Sequence, residues 1–400
     1  MHHIWKKVDL TIWSKSLTVF AIAVFLDRFG QGLLGGARMN FFVESLGLSS
    51  NQVLWLEGLR ELPGLALIFL AAFTMHLPLA WQGVISLLLM GIGYALQMFV
   101  GSYTGLLAMA LVASLGFHLW IPLNHAIGMS LSGREHAGRI LGVLSSVGSL
   151  AGIIGMAMIS LISKAFETLP LGTYFLIGGI FIVFAAVFVA KTPKDLGVTD
   201  IKPARILIRR RYWLYYVLIF LAGARKLVLG SFVTLVLVQN YAMHVWEIST
   251  LMLISSVLNL LTSPVMGSLI DRFGERITTT VSYAILALCC LGYAAIPNLW
   301  VLLVLWTLIR LVGPLGMGLS TYIYRTAPPE ELTPTLTAGV TFDHISSVGV
   351  PFLTSALLPV IDYSGIFLGT AALILASIPF ARALQVKSPA VLQPVAVTVD

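Results

Sequence analysis

Apolar stretches of roughly twenty residues, cut by short polar or Gly/Pro-rich segments, run almost the whole length of this chain. Each is long enough to cross the hydrocarbon core of a bilayer as a helix. The punctuation predicts twelve such helices, over 16–42, 51–75, 77–98, 103–128, 138–163, 170–190, 212–240, 246–270, 276–296, 299–325, 332–358 and 363–382. The connections are mostly very short, and the longest, 191–211, falls at the middle of the chain. The expected architecture is therefore an all-α membrane protein with twelve transmembrane helices. A first six-helix bundle over 1–190 is joined by a cytoplasmic linker, 191–211, to a second over 212–400.

Composition removes the alternatives. Of the 400 residues 58% are apolar and only 10% charged, against about 25% charged in an ordinary soluble domain. The first long apolar run continues past the length of a signal-peptide core, so no cleavable leader is expected. Cys289 and Cys290 are adjacent in an apolar run, without metal-ligand spacing, and read as helix-packing residues. No asparagine lies in an Asn-x-Ser/Thr sequon, which favours a prokaryotic plasma membrane over a glycosylated cell surface.

The net charge of +7 is explained by where the basic residues fall. With the N-terminus in the cytoplasm, seventeen of the 24 Lys and Arg residues lie on cytoplasmic segments and Lys164 alone lies outside. Six more (Arg28, Arg38, Arg60, Arg225, Lys226 and Arg310) fall inside helices. This is a positive-inside distribution that places both termini in the cytoplasm. It accounts for the basic charge through lipid headgroups, with no nucleic-acid partner. Trp13, Trp55, Trp81, Trp246 and Trp300 sit near helix ends as interface anchors.

The halves repeat weakly. Ser-Ser-Val-Gly at 145–148 recurs at 346–349, Gly138 then falls on Gly339, and a shift of 195 residues overlays the first helix on the seventh. Two pseudo-symmetric bundles related by an axis along the membrane normal form one of the plans of secondary transporters, with substrate held at mid-membrane between them.

Between the eighth and ninth helices lies Gly267-Ser-Leu-Ile-Asp271-Arg272-Phe-Gly274-Glu-Arg276. It resembles the G-x-L-x-D-R-x-G-x-[RK] signature of the major facilitator superfamily, in one of the two loops where that family carries it. The resemblance implies a latch that holds the two halves in the outward-open state. Gly267 would allow close helix contact and Gly274 a tight turn. Asp271 would face the positive end of the fifth helix around Ser132-Gly-Arg134, with Arg272 and Arg276 at the inner leaflet. The equivalent loop of the first half, MHLPLAWQG, lacks the signature and has His76 in the place of Asp271. The fourth helix lacks the arginine of many proton-coupled members, while the tenth offers Arg310-Leu-Val-Gly313. The fifth is glycine-rich without the Gly-Pro core of the antiporter signature.

Charge at mid-bilayer costs at least ~2.5 kcal/mol and marks function. Asp27 lies roughly 16 Å into the first helix, and Asp343 is at similar depth in the eleventh. Asp27, Gln31, Leu34 and Arg38 share one helical face, expected to line the cavity, and Arg28 points about 100° away. On the seventh helix Lys226 is the repeat counterpart of Gln31, which favours it over Arg225. Proton coupling and the substrate cavity are thus assigned to Asp27, Gln31, Lys226, Arg310, Asp343 and His344. The alternatives are structural ion pairs among these groups and, for Asp343 with His344, a packing hydrogen bond. Arg38, Glu57, Arg60 and Glu61 form an outer-gate or structural ion cluster, and His118 and His125 read as packed histidines.

No phosphate loop, metal spacing or nucleophile–base pair is present, so neither an enzyme nor a cofactor or metal site is expected. The function read from the sequence is secondary transport of a small organic solute, an anion by preference, across the cell membrane. It proceeds by alternating access in a monomer, with the proton as coupling ion. The alternatives are a multidrug-type exporter of lipophilic compounds and a non-transporting receptor or scaffold on the same fold.

Overall fold

A computed structural model describes residues 14–66, 76–132, 137–194, 196 and 208–385. Among these the regular structure is entirely helical, and nine helices are long and apolar enough to cross a membrane. Most of the linker 191–211, the segment 67–75, Trp13 and Arg134 lie outside the described residues.

The helix boundaries follow local chemistry. Ser14 caps the first helix, Lys15–Asn40, by accepting from the Leu17 amide. A capping box between Ser49 and Gln52 starts Ser50–Leu59, satisfying amide groups that have no intrahelical partner. Asn298 does the same for Leu299–Val312 through the Val301 amide. The expected eighth and ninth helices run together as Val245–Ala295, broken at Gly274, where φ is +76°. The eleventh and twelfth run together as Pro329–Arg382, broken at Asp362. The tenth divides into Leu299–Val312, a tight turn Gly313–Gly316 and Met317–Thr326. The seventh contains a wide π turn, Val228–Phe232, between Trp213–Leu227 and Val233–Tyr241.

The chain forms two compact units, Met1–Lys202 with Val238–Val257, and Pro203–Leu237 with Leu258–Asp400. In the first, Lys15–Asn40 packs against Ala137–Ala165 and Gly172–Val189, and Leu79–Leu96 packs against Tyr103–Ser132 and Gly172–Val189. Glycines make these contacts close. A Cβ on Gly32 would lie 2.6 Å from the Gly152 carbonyl oxygen, and one on Gly91 2.7 Å from that of Gly179. Small residues supply the contact area that lipid cannot drive hydrophobically. Within the same unit the 238–257 segment is tied down by Asn40 Nδ2 donating to the Met243 carbonyl at 2.7 Å. A second tie is a 2.6 Å hydrogen bond between the Ser160 and Thr250 hydroxyls.

In the second unit Trp213–Leu227 packs against Pro329–Arg382. Its entry is fixed by Arg211 and Tyr212, which both bond to the Glu331 carboxylate. The repeated Ser-Ser-Val-Gly segments pack differently. Gly148 lies against Val24 and Arg28 of the first helix, whereas a Cβ on its counterpart Gly349 would meet nothing within 4 Å, and it is Ser346 that lies against Gly223 of the seventh. The shift of 195 residues is visible in the backbone. Gly47 and Ala242 both turn with positive φ, and helices begin at Ser50 and Val245. Cys289 and Cys290 are buried free thiols, as packing residues should be.

Candidate functional site

Asp27 is fully buried in the first unit. Three donors meet its carboxylate. Gln31 Nε2 donates to Oδ1 at 2.7 Å, Trp120 Nε1 donates to Oδ2 at 2.9 Å, and Arg28 Nε stands 3.8 Å from Oδ2. Gln31 reaches Asp27 because i and i+4 are neighbours on a helix. Arg28 was expected to point away, and its Cα–Cβ bond does diverge by about 100°. Its long side chain folds back alongside the carboxylate, while its stem packs over Gly148.

The stripe Asp27, Gln31, Leu34, Arg38 does not present one open face. Asp27 and Leu34 are buried, Leu34 against Gly178, and only Gln31 and Arg38 keep part of their surface. Trp120 went unrecognised in the sequence. The available signal was an indole beside Pro122, four turns into a helix of predominantly aliphatic residues, where its N–H needs a partner.

Arg38, Glu57 and Arg60 do come together. Arg60 Nη1 bonds to Glu57 Oε1 at 2.6 Å, and Arg38 Nη2 lies 3.6 Å from Oε2. Pro63 interrupts the helix just beyond, and the Arg60 carbonyl takes its hydrogen bond from Ser114 Oγ instead. Ser114 also contacts His118 Nδ1 at 3.1 Å, so His118 is a packed histidine. His125, expected to be packed as well, is exposed. Glu61 follows on the same stretch at intermediate burial.

In the second unit Lys226 Nζ stands 3.5 Å from Asp343 Oδ2, with both side chains partly exposed. Lys226 lies two residues before the π turn, whose wider winding displaces backbone carbonyls from the regular ladder. Arg310 Nη2 donates to the Gly230 carbonyl inside that turn at 3.0 Å, and Thr234 Oγ1 donates to the same oxygen at 3.3 Å. Trp306 Nε1 donates to Thr234 Oγ1 at 3.1 Å, and the Arg310 guanidinium lies over the Trp306 ring, 4.8 Å from its centroid. Arg310 and Lys226 thus flank one break in the seventh helix. His344 is buried beside Asp343 in the chain. The carbonyl at Gly230 and the Trp306–Thr234 bond had no sequence signal beyond an isolated glycine.

Asp271 Oδ1 accepts from Arg325 Nη2 at 2.7 Å, and Arg325 Nε is 3.2 Å from Glu275 Oε1, so these acids are paired inside their own unit. Of the expected partner segment, Arg134 lies outside the described residues. A Cβ on Gly267 would meet nothing within 4 Å among the described residues. Gly274 does make the turn, in a backbone conformation that suits glycine. Arg272 and Arg276 are exposed.

Residues 214–397 match the family model of the Major Facilitator Superfamily. The fold is similar to that of the nucleoside transporter NupG, with a TM-score of 0.74 at 14% identity over 93% of this chain and 99% of that one. A peptide transporter POT in complex with alafosfalin gives 0.72 at 13% identity, over 92% and 94% of the two chains. A bacterial homolog of the human lysosomal transporter Spinster, inward-facing and unoccupied, gives 0.65 at 13%, over 92% and 95%. No curated protein matches the chain.

Proposed function

We propose that this chain, a major facilitator superfamily member by the match of its second half and by its fold, is a secondary transporter of a small organic anion in the cell membrane. It spans the bilayer twelve times with both termini in the cytoplasm. The breaks at Gly274 and Asp362 support that count, because each divides a helix of more than fifty residues. Unbroken, such a helix would extend roughly 75 Å, over twice the thickness of the hydrocarbon core.

The observation that carries the anion reading is the pair of cations flanking the π turn, Lys226 and Arg310. Lys226 lies at 3.5 Å from Asp343 with nearly half its side chain exposed, so an incoming carboxylate competes with a loose partner. Arg310 is anchored through one nitrogen on a carbonyl, and a guanidinium carries five donors in a planar fork suited to carboxylate or phosphate. Broken helices with displaced carbonyls are also where secondary transporters hold their cargo.

Protons drive the cycle through Asp27, a carboxylate in the membrane interior with polar partners on its own helix and on the Trp120 helix. Proteoliposomes with an imposed pH gradient test this. Wild-type protein should accumulate the anion, whereas Asp27→Asn should lose gradient-driven accumulation and keep exchange. Full accumulation by Asp27→Asn would move the coupling role to Asp343.

A further inference from the structure

Arg225 is 7% exposed, and its Nη1 is closed off from solvent without a hydrogen-bond partner among the described residues. The contact it does make is with the Tyr283 ring, whose centroid is 4.0 Å from the guanidinium carbon. Tyr283 is itself buried, and its hydroxyl also lacks a hydrogen bond.

Among the described residues no carboxylate pairs with Arg225. Arg225 faces a stripe of the helix Val245–Ala295 that carries Tyr283 and, two turns on, Cys290. From Arg276 to Ala295 that helix has no carboxylate, and neither has the seventh helix. Asp343 is the one acid inside the apolar runs 299–325 and 332–358, and it stands at Lys226. A guanidinium cannot shed its proton. A cation over an aromatic face recovers about 2 kcal/mol when desolvated, well short of the several kcal/mol that burying an ion costs after relaxation.

We propose that Arg225 and Tyr283 form a binding site for a small inorganic anion, chloride, inside the second unit. The Tyr283 ring covers one face of the guanidinium, which leaves the in-plane Nη1 donor for the anion. The Tyr283 hydroxyl supplies a second, neutral donor. Nη1 and the Tyr283 hydroxyl are both closed off, so entry of an anion requires these side chains to shift, and a monatomic ion requires the smallest shift. The site is separate from the Lys226–Arg310 region and does not depend on the transport reading.

Thermal unfolding of the purified full-length protein tests it, with sodium chloride replaced by sodium methanesulfonate at constant ionic strength. The melting temperature should rise with chloride and saturate, as mass action requires for a ligand of the folded state. Arg225→Gln should abolish the dependence. Tyr283→Phe, which keeps the ring, should raise the half-saturating chloride concentration by roughly tenfold, the effect of one charged hydrogen bond. Lys226→Ala should leave the response intact. No chloride dependence in the wild type, or a response lost in Lys226→Ala and retained in Tyr283→Phe, would overturn the proposal.

Discussion

The indole nitrogen of Trp120 donates a hydrogen bond to the buried carboxylate of Asp27 at 2.9 Å, joining two helices that lie 93 residues apart in the chain. That bond, with Gln31 on the other oxygen, satisfies a charge that would otherwise stand in hydrocarbon. Trp120→Phe keeps an aromatic ring, though a smaller one, and removes the donor. It should cost about 1.5–3 kcal/mol, the range for a hydrogen bond to a charged group, read as a lower melting temperature. An unchanged melting temperature would show that another donor takes the place of the indole.

The latch segment gives a second expectation. Arg325 holds both Asp271 and Glu275, so Arg325→Ala releases two carboxylates at once. Double electron–electron resonance between labels on the cytoplasmic face should then show a broadened distance distribution. Asp271→Asn, which leaves Glu275 in place, should broaden it less. Equal distributions in wild type and Arg325→Ala would reduce the pairing to a surface ion pair of little consequence.

Packing is tested at Gly32. A Cβ there meets the Gly152 carbonyl, backbone that cannot rotate away. Gly32→Val should destabilise the first unit by about 1–3 kcal/mol or more. The same change at Gly35, where a Cβ meets nothing within 4 Å, should be nearly neutral. Comparable losses at both positions would point to helix propensity as the cause, without any need for close contact.

Threading is tested chemically. Cysteines introduced at Lys202 and at Ser102, after replacement of Cys289 and Cys290, should label from opposite sides of the membrane. Labelling from the same side would break the twelve-helix reading.

The all-helical architecture was legible because apolar length is a one-dimensional property. The twenty-residue runs need no knowledge of packing. Helical periodicity also found Glu57 and Arg60, three residues apart, and matching depth in the membrane set Arg38 of the neighbouring helix beside them. It did not find Trp120 as the partner of Asp27, nor Arg325 as that of Asp271. Both contacts cross between helices, and nothing in the spacing encodes which faces meet. The π turn at Val228–Phe232 escaped for a related reason. Its residues are ordinary helix formers apart from Gly230, and the turn is recognisable only through the carbonyl that Arg310 and Thr234 share. Gly267 shows the converse: a signature residue was assigned close packing that the described structure does not contain.

The central claim is anion recognition by Lys226 and Arg310, and ligand-induced stabilisation of the purified protein tests it most directly. A panel of small carboxylates and organic phosphates should be compared with lipophilic cations such as tetraphenylphosphonium, at fixed chloride concentration. At least one anion should raise the melting temperature in a saturable way. Lys226→Ala and Arg310→Ala should each weaken that ligand by tenfold or more, the equivalent of a lost charged hydrogen bond. Stabilisation by the cations alone, lost in Asp27→Asn and kept in both alanine variants, would contradict the account and establish a multidrug-type exporter in its place.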